Sequence, residues 1–261
     1  MRHVPRFLQF IALAALATLG ARRARAQSDD AADRSNPAEA AAEAGMLLPT
    51  TLSPRTDSQR AYFLALGGYD TSRDSAQSDV FADVSILSWL ALRAGLQYTQ
   101  YPDRFRPTFG ARVQILGQDK AGLDLGAGAF LKPEGFSEAE AEVELVVALA
   151  RRFGRFTTFA NLVYGQDPEA SERDGEVRLA ALYSATKSIQ VGLDSRLRVD
   201  LGSEEGERHA EGGAEYDLVF GPTASFAVGP IAAVAQAGMS VYGTEPAQPG
   251  GVVQIGIAGA L

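Results

Sequence analysis

Four glutamates recur at every second position in "SEAEAEVELVVALA", residues 137–150: Glu138, Glu140, Glu142 and Glu144. Carboxylates in this number can work as paired acids, hold a hard cation such as Ca²⁺, or steer charged solutes. Spacing separates these uses. Alternate residues on a strand stand about 6.7 Å apart, so one strand makes a poor chelate, and no metal site is expected. Acid pairs that arise from the repeat single out no catalytic site either. His209 sits in an acidic loop with Glu204, Glu205, Glu207 and Glu211 and has no serine motif beside it, so it reads as a solvated loop histidine rather than a general base. The absence of cysteine excludes disulfides and thiolate metal sites. "GLDLGAGAF", residues 122–130, lacks the Lys-Ser/Thr ending of a phosphate loop. Neither a catalytic residue nor a cofactor is expected, and the chain does not read as an enzyme.

The remaining use, steering solutes, depends on the element that carries the glutamates. Their propensity favours helix. A helix, however, sends residues two apart in nearly opposite directions and would leave no apolar face. A strand puts the glutamates on one face and Ala139, Ala141, Val143, Leu145, Val147 and Leu149 on the other. The same period recurs along the chain. In "IQVGLDSRLRVDL", residues 189–201, Ile189, Val191, Leu193, Leu197, Val199 and Leu201 alternate with Gln190, Gly192, Asp194, Arg196, Arg198 and Asp200. Twelve such runs are expected, at about 60–69, 79–87, 90–100, 106–116, 121–132, 138–151, 155–165, 174–185, 189–201, 211–227, 231–243 and 250–261. Gly221-Pro222 falls inside one of them and leaves the count there open, because Pro removes a ladder donor.

Ahead of the runs lies a different kind of sequence. Arg2 and Arg6, an apolar stretch from Phe7 to Gly20 and Ala24-Arg25-Ala26 fit a cleaved signal peptide over residues 1–26, too short to span a bilayer. Its removal takes five arginines and no acid, so the net charge, −8 for the whole chain, becomes more negative. An acidic exported protein is not expected to bind nucleic acid. Residues 27–58, rich in Ala, Ser, Asp, Glu and Pro, read as a flexible N-terminal segment, which the resemblance given below implies is periplasmic.

The connections between runs alternate in length. Ser88-Trp89, "GQDK", "RFG", "TKS" and "VGP" are short, whereas "DTSRDSAQS", "YPDRF", "KPEGFS", "QDPEASERDG", "GSEEGERHAE" and "GTEPAQPG" are longer. With the leader and the final alternating run "GGVVQIGIAGAL", this parity makes the chain resemble the bacterial outer-membrane β-barrel proteins as a broad class. The match departs from that class at the C-terminus, where Gly259 interrupts the alternation and Leu261 stands in place of an aromatic. The resemblance implies an all-β fold: a transmembrane, antiparallel, up-and-down β-barrel of about 12 strands over residues 59–261, in the outer membrane. Lipid then meets the apolar face, and the lumen is lined by Arg93, Arg112, Asp124, Glu138, Glu140, Glu142, Glu144, Glu176, Arg178, Asp194, Arg196, Arg198, Glu215 and Asp217. Register estimates bring Arg112 toward Glu142 or Glu144, Glu176 toward Arg198, and Glu215 and Asp217 toward Arg196. Trp89, Tyr98, Phe156 and Tyr164 are candidates for the membrane interfaces; Phe156 and Tyr164 share a face about 20 Å apart in membrane height.

The function expected is passive passage of small polar or charged solutes, with outer-membrane lipid as the surrounding partner. Alternatives are a structural or surface-interaction barrel filled by its own salt bridges, an outer-membrane hydrolase, and a soluble lipocalin-like barrel with its faces inverted. Alternation alone does not tell inside from outside.

Overall fold

A computed structural model describes residues 47–56, 61–100, 104–133, 141–167, 173–202, 216–243 and 247–260. Each expected run forms a strand: β1 (Ala61–Asp70), β2 (Ser75–Leu87), β3 (Leu90–Thr99), β4 (Arg104–Leu116), β5 (Asp124–Pro133), β6 (Ala141–Phe153), β7 (Phe156–Gln166), β8 (Arg173–Ser184), β9 (Ile189–Gly202), β10 (Tyr216–Val228), β11 (Ile231–Gly243) and β12 (Gln248–Ala260). Every strand pairs antiparallel with its chain neighbours, and β1 pairs with β12, so the sheet closes into a twelve-stranded barrel without an edge. Residues 141–150 of the glutamate run lie in strand β6, so there period prevails over propensity. A carboxylate face needs the barrel's polar side, which a helix ringed with charge would not supply.

The faces are sorted opposite to those of a soluble barrel. Asp83, Arg112, Glu144, Asn161, Asp194 and Gln236 are buried, while Leu162 and Ile255 are 61% and 64% exposed and Leu145, Leu193 and Phe220 also face outward. Apolar residues thus cover the outside, and the lipocalin-like arrangement, with apolar residues inward, is not what the chain adopts.

Local chemistry sets the connections. The hairpins β6–β7 and β10–β11 turn on Gly154 (φ 62°) and Gly229 (φ 59°), where a two-residue turn that matches strand twist demands positive φ. Between β4 and β5 the expected "GQDK" turn contains a one-turn helix, α1 (Gln118–Ala121), so β5 begins at Asp124 rather than near residue 121. The first long connection, expected over "DTSRDSAQS", shrinks to Thr71–Asp74. Asp70 accepts hydrogen bonds from Ser72 N (2.8 Å) and Ser72 Oγ (2.7 Å), an Asx-type turn that lets pairing resume at Ser75. Gly221-Pro222 makes no turn. Pro222 stays in β10 opposite Leu193 of β9, and Gly221 passes so close to Gly238 of β11 that a Cβ would lie 2.2 Å from the Ala237 carbonyl.

Candidate functional site: a plugged, charge-lined lumen

The N-terminal segment expected to be flexible and periplasmic departs from that expectation over residues 47–56, which lie inside the barrel at the end carrying the short turns. Three leucines anchor them to three sectors of the wall. Leu47 packs among Tyr62, Leu64, Ala232, Val234 and Ala258, Leu48 among Ala150, Phe159, Ala180 and Leu182, and Leu52 among Phe130, Val146 and Val163. The physical cause is visible in the wall itself. The inner face of β6 is Glu142 and Glu144 and then turns apolar at Val146, Ala148 and Ala150, where the segment covers it.

Backbone polar groups brought into this space need partners, and wall side chains supply them. Asp194 accepts from Thr50 N (3.0 Å), Thr50 Oγ1 (2.6 Å) and Thr51 Oγ1 (2.8 Å). Asn161 makes a two-way amide pair with Leu52, accepting from its N–H at 2.6 Å and donating Nδ2 to its carbonyl at 2.9 Å. Arg112 Nη1 donates to the Ser53 carbonyl at 2.7 Å. Thr56 donates its N–H to Gln114 Oε1 (3.0 Å) and its hydroxyl to the Ser88 carbonyl (2.9 Å), and Ser85 Oγ donates back to the Thr56 carbonyl (2.5 Å). Bonded to β9, β7, β4 and β2 in turn, the segment is strung across the lumen as a plug.

Above the plug the wall carries charge in linked groups. Beside the plug, Asp83 accepts from Arg93 Nε at Oδ1 and Nη2 at Oδ2 (2.7 and 2.8 Å), and Arg112 Nη2 lies 3.0 Å from the same Oδ2. The Arg93 guanidinium stacks 4.0 Å from the Phe81 ring. This corrects the expected reach of Arg112 toward Glu142 or Glu144. Phe130 fills the space over Gly110 and Gly128, and Asp83, on the neighbouring sector, captures the arginine. Higher up, Glu144 binds Lys132 and lies 3.5 Å from Arg178, which donates Nε to Glu176 at 2.7 Å. Glu142 sits 3.8 Å from Lys132 and 3.6 Å from Arg106. On the other side Asp217 binds Arg196 and, at 2.5 Å, Arg73.

Of the other positions named from sequence, Arg198 stands opposite Glu176 in register but bonds to Asp174 at the mouth. Asp124 is buried at the foot of β5, where it accepts from Gln118 N at 2.8 Å. Glu138, Glu140, Glu215 and His209 lie outside the described residues, as do residues 1–46. Trp89 is exposed at the β2–β3 turn and Phe156 at the start of β7, its ring tilted 43° to that of Tyr183 at 4.9 Å; Tyr98 pairs with Phe105 at 4.7 Å and Tyr164 faces outward near the top of β7. Among the described residues no cluster of three or more His, Asp or Glu is arranged to hold a metal.

Sequence reasoning missed Asp83, Lys132, Asn161 and the plug. Lys132 lies where the run over 121–132 meets the loop "KPEGFS", and Asp83 sits in "DVFADVSIL", where Phe81 breaks the polar face between Asp79 and Asp83. Between plug and wall remains a cavity of about 180 Å³ lined by Thr51, Asp79, Arg93, Lys132, Glu144 and Arg196, among others.

No family model matches the sequence, and no curated protein matches it. Among solved structures the barrel is similar to the NanC porin, with TM-score 0.58 at 9% identity over 76% of this chain and 100% of that one. It is likewise similar to the KdgM porin (0.55, 8%, 77% and 99%) and to an outer-membrane channel from Pseudomonas putida F1 (0.54, 11%, 82% and 98%). The fold is that of outer-membrane porins and channels.

Proposed function

We propose that the chain is an outer-membrane channel for small polar or charged solutes, with residues 47–56 narrowing its lumen at the short-turn end. The observation that carries this reading is the inside-out sorting of the wall: Leu, Ile, Val and Phe cover the exterior while Asp83, Arg112, Glu144 and Asp194 are sealed inside. Burying that many charges beneath an apolar exterior suits a barrel whose solvent outside is lipid. The short-turn end then faces the periplasm and the longer connections face outward. Passage is passive, and its selectivity comes from the opposed cations and carboxylates above the plug. In this reading a small solute passes the Lys132–Glu144–Arg178 and Arg73–Asp217–Arg196 groups, and the plug sets how often the lower end is clear.

The ion pairs themselves favour one competing reading, a structural barrel held shut by its own charges. Planar-bilayer conductance separates the two when measured on the whole mature chain and on a variant lacking residues 47–56. A channel gives small unitary steps that grow on deletion and change ion selectivity in Glu142→Gln. A folded, heat-modifiable barrel that stays silent after deletion of the plug refutes the channel.

A further inference from the structure

The outer wall carries a groove unrelated to the lumen. It has a volume of about 550 Å³, within the roughly 300–1,000 Å³ of sites that hold small molecules. Its floor is Ala160 and Ala181 and its sides are Leu149, Leu179, Leu193 and Phe220, with Arg151 at one end. The register shows how it lies. One row of paired residues runs Leu149, Ala160, Leu179, Ser195, Phe220, and the row beneath runs Arg151, Thr158, Ala181, Leu193, Pro222.

These rows climb the barrel. Arg151 is two residues from the short-turn end of β6, Ala181 three from that of β8, Leu193 four from that of β9 and Phe220 eight from that of β10. The groove therefore rises from the rim into the apolar belt. Four strand spacings of about 4.8 Å make it roughly 19 Å long across the strands, and with strands tilted about 40° it rises about 12 Å, most of the ~15 Å half-thickness of a bilayer's hydrocarbon core.

The low end is cationic. Arg151 and Arg155 flank the β6–β7 turn, Lys187 lies in the β8–β9 turn and Lys120 in α1, all exposed, and none forms an ion pair with a described residue. Asp119 is the one acid in those three connections besides the strand residues. The Arg151 guanidinium rests 4.7 Å over the Phe153 ring, which holds it at the rim. A strongly acidic chain thus gathers unpaired cations on one arc of one rim, at the foot of an apolar groove one leaflet long.

We infer that this groove is a binding site for an anionic glycerophospholipid of the leaflet at the short-turn rim, its phosphate on Arg151 and one acyl chain rising past Ala160 and Ala181 to Phe220. Charge selects the headgroup and the small residues admit the chain. The inference rests on the membrane reading above, and the test keeps the two apart. The mature chain is reconstituted in vesicles of phosphatidylcholine with one-tenth phosphatidylglycerol, extracted in mild detergent and weighed by native mass spectrometry. The wild type is expected to retain one phosphatidylglycerol. Arg151→Gln and the groove-filling Ala181→Phe lose it at least tenfold, while Ala94→Phe, exposed on β3 across the barrel, does not. Equal retention of phosphatidylcholine, or full retention in Arg151→Gln, overturns the site. So does a lipid-independent dimer abolished by Ala181→Phe, which assigns the groove to a second copy. A chain that fails to enter vesicles overturns the membrane reading and this site with it.

Discussion

Replacing Asp194 by alanine tests whether the plug is held by the wall or merely rests in it. The carboxylate accepts three hydrogen bonds from Thr50 and Thr51 and is itself fully buried. Hydrogen bonds to a charged group contribute about 1.5–3 kcal/mol each, but the buried charge also disappears with the substitution, so the net loss is about 4 kcal/mol rather than the gross sum. That shifts the balance between docked and released plug by roughly a thousandfold. Full release is opposed by Leu47, Leu48 and Leu52, whose burial contributes about 1.5–3 kcal/mol apiece. The chain has no cysteine, so Pro49→Cys gives a single label site that takes no side-chain hydrogen bond from the wall. Where opening is fast relative to labelling, the rate of reaction with a bulky maleimide follows the released population. Asp194→Ala is expected to raise that rate by two to three decades and to increase open-channel time in bilayers. Asn161→Ala, which loses two neutral bonds at about 1 kcal/mol each, raises it by about thirtyfold. Asp194→Asn, which keeps one carbonyl acceptor, falls between. Labelling and conductance unchanged in a folded Asp194→Ala barrel would refute the idea that this carboxylate holds the plug.

Three further perturbations follow from the same geometry. Asp83→Ala leaves the buried Arg112 and the half-buried Arg93 without their shared carboxylate and is expected to cost about 3–5 kcal/mol, read as a lower unfolding temperature by heat-modifiable mobility; an unchanged transition would mean that water reaches the pair. Gly221→Val drives a side chain into the Ala237 carbonyl and is expected to abolish assembly of the folded barrel, whereas Thr223→Val, two residues on and with room for its side chain, assembles normally. Trp89, the one tryptophan, is expected at the bilayer interface: lipids brominated near the headgroup quench its fluorescence more strongly than lipids brominated at the chain ends, and the reverse order contradicts that placement.

The twelve strands were legible because a closed barrel with an apolar exterior and a polar interior forces period-two alternation on nearly every run. What the alternation left open was direction, which the burial of Asp83, Arg112, Glu144 and Asp194 and the exposure of Leu162 and Ile255 settle. Once β1 pairs with β12, one face must crowd inward, and side chains of opposite charge are brought within reach of one another there. The ion pairs were legible only where both partners sat on clean alternating runs, as with Arg196 and Asp217. Arg112 points toward Glu142 or Glu144 in the sequence because Gly126 and Gly128 leave room on the intervening β5; Phe130 occupies that side instead, and Asp83 meets the arginine from the opposite side, across β3.

The plug left a mark in the wall sequence that alternation alone obscured. "AYFLALGGY" is apolar on both faces, which makes no sense for a strand with an apolar exterior on one side and an open polar lumen on the other. It makes sense when Tyr62, Leu64 and Leu66 face the packing around Leu47. The glutamate run of β6 changes character for the same reason at Val146, halfway down, and β7, β8 and β11 do so at Phe159, Leu182 and Val234. Removing the segment would leave these side chains facing water, at about 25 cal/mol for each Å² of apolar surface uncovered. The lower wall is thus built for an occupied lumen, and the apolar lower half of each strand is complementary to the leucines of a segment that precedes the barrel in the chain.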